Sequence, residues 1–211
     1  MRELLMGNEA IGLGALLAGV KVVAGYPGTP STEVLETIAK RNPGNVHVEW
    51  SVNEKAGLEV AAGAAYTGAR SLVTMKQVGL NVASDPLMSL NYIGVKGGMV
   101  IFVADDPGPI SSQTEQDTRH FGKYAKIPVF DPTSPEEAFV MIQEAFDFSE
   151  EHHTPVFFRT TTRVCHACAS IDVPDLPEPK AYEGFVRDSK WVIFPRLSFE
   201  SKKKLDTARG R

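Results

Sequence analysis

Four stretches of the chain carry side chains able to do chemistry, and each stands at the end of an apolar run. In Gly25-Tyr26-Pro27-Gly28-Thr29-Pro30-Ser31, two glycines and two prolines fix the path of a loop and let a ligand approach the backbone closely. Such a loop presents the Thr29 hydroxyl, or is simply a rigid strand-to-helix turn. After Trp50-Ser51, either Ser51 or Asn53 can cap a helix that opens with Glu54, a carboxylate that normally stabilises the helix dipole. That helix, AGLEVAAGAAYTGA, is crowded with Ala and Gly and almost free of charge, which implies close packing, burial and little water around Glu54. Met75-Lys76-Gln77-Val78-Gly79-Leu80-Asn81 is again polar and glycine-containing, with Lys76 in the usual role of a solvated charge. The fourth stretch runs from Asp105 through Gln113 and Asp117 to Arg119, dense in hydrogen-bonding groups, and irregular structure is expected from Asp105 to about Gly122. A loop of that length is usually functional or disordered.

The elements that must position these groups alternate. Strand-like runs cover Val20–Tyr26, Val46–Trp50, Ser71–Met75, Met99–Ala104, Ile127–Phe130 and Pro155–Thr160. Helix-like segments cover Gly7–Ala18, Ser31–Arg41, Asn53–Thr67, Gly79–Tyr92 and Pro135–Glu150. Runs such as VKVVAGY and GMVIFVA lack strict alternation, as strands do when helices cover both faces of a sheet. The pattern is that of a doubly wound, mainly parallel α/β domain over residues 1–171, whose ligands bind outside the carboxyl ends of the strands. Ser31 is expected to cap the second helix through its hydroxyl, and Ser134 to cap the helix in which Pro135 takes the first position.

Composition closes off several functions. Lys plus Arg number 22 against 26 Asp plus Glu, a formal charge of −4, so no global field attracts nucleic acid. The longest early apolar stretch, Ala10–Val20, is too short to span a bilayer, and Glu3, Asn8 and Glu9 interrupt any signal-peptide pattern. The cytoplasm is the expected compartment. Cys165 and Cys168 supply no disulfide framework; with His166, His152 and His153 they are the one candidate metal set, against which a pair of structural or incidental thiols is the favoured reading, since an iron–sulfur cluster usually needs four thiolates. Gly12-Leu13-Gly14 lies inside a helical segment rather than after a strand, which excludes a dinucleotide fingerprint, and no phosphate-binding GxxxxGK[ST] loop occurs. Residues 172–211 differ in character: Pro174, Pro177 and Pro179 make a linker or wrapping arm. From Lys180 onward nine Lys/Arg stand against four Asp/Glu, a basic tail that is either a solvated, frayed terminus or, because Trp191 to Phe199 is too apolar for a free tail, a docking or connecting segment.

The stretches MGNEAIGLGALLAGVKVVAGYPGTPSTEV, EWSVNEKAGLEVAAGAAYTGARSLVTMK, VGLNVASDPLMSLNYIGVKGG and DDPGPISSQTEQDTRHFGKYAKIPVFDPTSPEEA carry a resemblance over most of residues 6 to 165. The chain is similar to the N-terminal pyrimidine-binding (Pyr) domain of the thiamine-diphosphate-dependent 2-oxoacid:ferredoxin oxidoreductases, most closely the large subunit of the indolepyruvate enzymes. The resemblance implies that Glu54 bonds N1′ of the cofactor's aminopyrimidine and favours the imino tautomer that removes the thiazolium C2 proton. It places Thr29 beside cofactor and substrate, Gly28, Gln77, Gly79 and Asn81 around the aminopyrimidine, and Gln113, Asp117 and Arg119 on the substrate side. There Arg119 is either a counter-ion for the oxo acid or one half of a loop salt bridge. The expected reaction is oxidative decarboxylation of 2-oxo acids, aromatic ones by resemblance, to acyl-coenzyme A with electrons to ferredoxin. Close relatives are expected to carry histidine where Gln77 stands. The family's diphosphate and Mg²⁺ site belongs to a second domain with a Gly-Asp motif, and this sequence holds no Gly-Asp dipeptide. A diphosphate-binding (PP) domain or subunit, an iron–sulfur subunit and ferredoxin are therefore expected partners, in a hetero-oligomer or dimer. The other readings are a non-catalytic assembly module of the same fold and a stand-alone flavodoxin-like nucleotide binder, against which the missing phosphate loop counts.

Overall fold

The computed structural model describes residues 1–179 and 181–208. In chain order the elements begin with β1 (Arg2–Met6), α1 (Gly7–Leu17), β2 (Val22–Gly25), α2 (Thr32–Arg41), β3 (His47–Trp50), α3 (Glu54–Tyr66), β4 (Ser71–Lys76) and α4 (Gln77–Ile93). They continue with β5 (Met99–Asp105), α5 (Thr118–Ala125), β6 (Val129–Phe130), α6 (Pro135–His152), β7 (Val156–Thr161), α7 (Thr162–His166), β8 (Cys168–Asp172) and α8 (Pro195–Ala208). The unalternating apolar runs become a six-stranded parallel sheet in the order β3-β2-β4-β5-β7-β6. All seven residues of β5, at its centre, are buried, because helices cover both faces. The doubly wound α/β architecture is thus the one the sequence indicates.

Two cores result. On one face α1, α2 and α6 pack around Ile11, Val34, Ile38, Phe102, Phe146 and Phe158. On the other, α3, α4 and α5 enclose Leu58, Met75, Leu80, Leu87 and Phe157. Gly12 and Gly14 serve packing: a Cβ on Gly14 would lie 2.7 Å from the Phe139 carbonyl oxygen, so the glycines let α1 cross α2 and α6 closely. The expected burial of α3 holds for one face only. Gly57, Leu58, Ala61, Ala62 and Ala65 are buried, while Glu59, Val60 and Gly63 face outward.

Several local expectations change. Ser134 and Asn53 cap α6 and α3 through bonds accepted from Glu137 N–H and Ala56 N–H. Ser31 does not cap α2: its hydroxyl turns back to donate to the Gly28 carbonyl at 2.6 Å, bracing the preceding loop. The irregular stretch ends at Thr118, where α5 begins, not at Gly122. Strands β1 and β8 form a separate antiparallel pair, in register from Arg2↔Asp172 to Met6↔Cys168. Among the described residues, the proline-rich arm after Val173 has no regular structure until Ser189. It wraps: Leu176 to Pro179 line a cavity with Val20 and Val46, Lys96 pairs with Glu183, and Gly184 N–H donates to the Thr67 carbonyl. Trp191 then lies on Tyr66 at 4.7 Å and α8 docks on α4, while Val192, Ile193, Phe194 and Phe199 stay exposed. No helix among the described residues is long and apolar enough to cross a membrane.

Candidate active site

Strand order locates the site. The chain runs from β2 to β3 on one side and then crosses to β4 on the other, so the winding reverses between the carboxyl ends of β2 and β4. Open α/β sheets bind ligands at such a reversal. Both glycine-containing loops meet there. A Cβ on Gly28 would lie 3.1 Å from the Lys76 side chain, so the Thr29 loop rests on the lysine's aliphatic stem. The loop is held from within and from below. Gly28 N–H donates to Thr32 Oγ1 at 3.0 Å, and the Asn8 amide donates to the Pro30 carbonyl and to Glu33, both at 2.7 Å. The Thr29–Pro30 peptide is cis, and Thr29 itself is exposed at the rim. Asn8 was not among the sequence candidates. Its signal was an asparagine on the same helical face as Ile11 and Ala15.

Glu54 opens α3 beside this crevice. Its side chain crosses to the first turn of α4, where a Cβ on Gly79 would stand 2.6 Å from its Cγ and 2.7 Å from its Cδ. Only glycine at position 79 leaves room for the carboxylate. The position is electrostatically suited to an anion, because the first amides of a helix lack intrahelical partners and carry the positive end of its dipole. No hydrogen bond reaches the Glu54 carboxylate from any described residue. Gln77, the first residue of α4, is fully buried: its amide donates to the Thr114 carbonyl at 3.0 Å, while its Oε1 has no partner. Two acceptors without donors, Glu54 and Gln77 Oε1, flank the start of α4. That is an acceptor pair to which an aminopyrimidine protonated at N1′, with its amine and its ring N–H, is complementary. Asn81 follows on the exposed side of the same turn.

The loop after β5 is tied at both ends by consecutive buried carboxylates. Asp106 accepts from Ser111 N–H, Ser112 N–H and Thr162 Oγ1. Burial alone would raise its pKa, but these bonds prevail and hold it down at about 2. Asp105 accepts from Thr118 N–H and its hydroxyl and from Arg159 Nε, which also reaches Asp131 through the guanidinium. Of the substrate-side candidates, Gln113 is exposed, whereas Asp117 and Arg119 engage each other. The guanidinium donates twice to Asp117, at 2.9 and 2.7 Å, and lowers its pKa to about 2. Arg119 is thus the salt-bridged arginine of the two readings, with its outer side still open to solvent.

The two cysteines do not act together. Cys165 is buried against the Thr160 hydroxyl and burial pushes its thiol up to about 12, while Cys168 is exposed at the start of β8. Among the described residues no three His, Cys, Asp or Glu side chains converge to hold a metal.

A reversal-point crevice with a carboxylate set against a helix start defines a cofactor-binding domain of the doubly wound α/β class. The family described as "Pyruvate flavodoxin/ferredoxin oxidoreductase, thiamine diP-bdg" matches residues 13–195, and the chain belongs to it. It is 52% identical over 197 residues, 92% of its length, to the indolepyruvate oxidoreductase subunit IorA of Methanothermobacter marburgensis, and 46% identical over 179 residues to that of Archaeoglobus fulgidus. It is 29% identical over 192 residues to the 2-oxoglutarate synthase subunit KorA of Archaeoglobus fulgidus, and covers 54% of that subunit. The fold matches the 2-oxoglutarate:ferredoxin oxidoreductase from Magnetococcus marinus, solved with 2-oxoglutarate, coenzyme A and succinyl-CoA bound, with a TM-score of 0.74 over 82% of this chain and 32% of that one, at 22% identity. The chain spans about a third of the IorA subunits, 31% and 29% of their lengths.

Proposed function

We propose that this chain supplies the pyrimidine-binding half of the active site of a 2-oxoacid:ferredoxin oxidoreductase, acting on aromatic 2-oxo acids. The observation that carries the proposal is the Glu54 carboxylate standing without a donor among the described residues in the space that Gly79 leaves open. Thiamine diphosphate, when bound, supplies the carbon nucleophile that adds to the 2-oxo carbon and the electron sink for loss of carbon dioxide. The chain's own residues orient it and handle its proton. Glu54 holds the proton at N1′ of the pyrimidine, Gln77 Oε1 is placed to accept from its amine, and the Gly28 and Gly79 backbones let the ring approach. Thr29 stands exposed at the rim, where its hydroxyl can meet the substrate, and Gln113 and the Asp117–Arg119 pair are assigned to the substrate side. Membership of a thiamine-diphosphate-binding family supports this assignment.

Residues 1–171 act as the Pyr-type domain and 172–211 as the linker and basic tail. The diphosphate and Mg²⁺ are held by a PP domain or subunit. Iron–sulfur clusters and coenzyme A belong to other parts of the complete complex, which passes electrons to ferredoxin and works in the cytoplasm. The test is native purification of the complex containing this chain, with thiamine diphosphate and iron assayed in the same sample, followed by coenzyme A-dependent reduction of ferredoxin. Turnover of an aryl 2-oxo acid is the expected result. A purified complex that contains neither cofactor and oxidises no 2-oxo acid would make the chain a non-catalytic assembly module.

A further inference from the structure

We propose that the cavity between α4 and α5 receives the aromatic side chain of the 2-oxo acid, an assignment that rests on the reading above and adds the residues that set substrate class. The cavity has a volume of about 450 Å³ and is walled by Leu80, Asn81, Asp117, Thr118, Phe121 and Tyr124. That size falls within the range of small-molecule sites, roughly 300–1,000 Å³. It opens on the catalytic side of the sheet. Gly79, against which Glu54 rests, immediately precedes Leu80 and Asn81, and Asp117 ends the loop that leaves the carboxyl end of β5.

The floor is fixed and the lip is not. Leu80 and Thr118 are 1% and 2% exposed, so their positions are set by the core. Phe121 meets Phe157 edge-on at 6.3 Å and Tyr124 edge-on at 5.9 Å, which anchors its ring between the core and the lip. Tyr124, 72% exposed, forms the outer edge. An apolar floor, two aromatic edges and a polar mouth made by Asn81, Gln116, Asp117 and His120 suit a flat ring whose polar end stays outside. Aromatic groups gain from edge-to-face and offset contacts beyond the area they bury. A small aliphatic oxo acid offers no ring to Phe121 and Tyr124, so the cavity favours aryl substrates by binding rather than by chemistry.

Tyr124→Ala in the assembled enzyme is the direct test, because Tyr124 is too exposed for its loss to endanger the fold. The ratio of kcat/KM for phenylpyruvate to that for pyruvate should fall about 10-fold, the scale on which a lost apolar wall discriminates substrates. Phe121→Leu, checked by thermal unfolding, should lower the same ratio. Saturation transfer from protein to the ring protons of phenylpyruvate should weaken in both variants. An unchanged ratio in an enzyme that oxidises both substrates, or equal losses on both, overturns the cavity assignment and leaves the role of Glu54 standing. A wild-type complex that oxidises neither substrate overturns the functional reading itself, and the cavity assignment with it.

Discussion

The Glu54 carboxylate occupies the volume that a side chain at position 79 would fill: a Cβ there would come within 2.7 Å of Glu54 Cδ and nearer still to Oε1. Two elements that meet only in the folded domain, the start of α3 and the start of α4, therefore fit as carboxylate and cradle. The carboxylate is held by shape and by the helix field, which leaves its oxygens available to a ligand.

Gly79→Ala separates these contributions. The obstructing atoms belong to a flexible side chain, so the protein can relax by moving Glu54, and alanine in a helix interior is favoured over glycine by up to about 1 kcal/mol. Thermal unfolding should be unchanged or slightly raised, while turnover in the assembled enzyme falls by roughly 100-fold, since a misplacement of about 1 Å has that scale of cost. A variant with full turnover would show that the Glu54 position is incidental.

The loop over the site is an acid-sensitive element. Asp106 is held at about 2 against an ordinary 3.8. A lowered folded-state pKa means that the stabilisation is fully present above 3.8 and is lost as pH falls from there through about 2. Hydrogen exchange at Ser111 and Ser112 should therefore quicken across that window. Asp106→Asn should bring the same loosening at neutral pH, at a cost on the order of 2 kcal/mol for the charge-assisted bonds. Slow exchange at both amides in the variant would remove Asp106 as the anchor.

Trp191, which lies on Tyr66 at 4.7 Å, is one of the contacts that fasten the arm to the domain, beside the Lys96–Glu183 pair and the Gly184 bond to Thr67. Trp191→Ala should leave the α/β domain's unfolding within about 1 kcal/mol of the parent, because the contact is peripheral to both cores. Tryptic cleavage at Lys202 to Lys204 should accelerate about 10-fold as α8 detaches from α4. Equal cleavage rates would mean that other contacts hold the helix.

Much of this arrangement was legible because its signals are local. Apolar runs, the Asn53 and Ser134 caps and the glycine-containing loops at strand ends can each be read within a few residues, and they place Thr29, Glu54 and Gln77 on one edge of one sheet. What escaped depends on distant partners. The pairing of β1 with β8 joins the two ends of the described domain, and RELLM alone shows no partner. Helix α5 was obscured by Gly122, which reads as a breaker. In the fold a side chain there would collide with Val129, so the glycine admits close packing, and Thr118, Phe121, Gly122 and Ala125 form the inward face. The same helix supplies the aromatic lip of the cavity, which no strand-end motif announced. The Arg119 pairing was among the readings that spacing allowed, and only the geometry chose it.

If Glu54 governs the proton of the cofactor's pyrimidine, ylid formation on the bound cofactor depends on its carboxylate. The measurement is exchange of the C2 proton of thiamine diphosphate bound to the complete complex, compared between the parent and Glu54→Gln. The variant should retain bound thiamine diphosphate while C2 exchange and turnover fall together by about 100- to 10,000-fold, the range for loss of a general acid–base group. Exchange and turnover at the parental rate, with the cofactor bound, would contradict the claim.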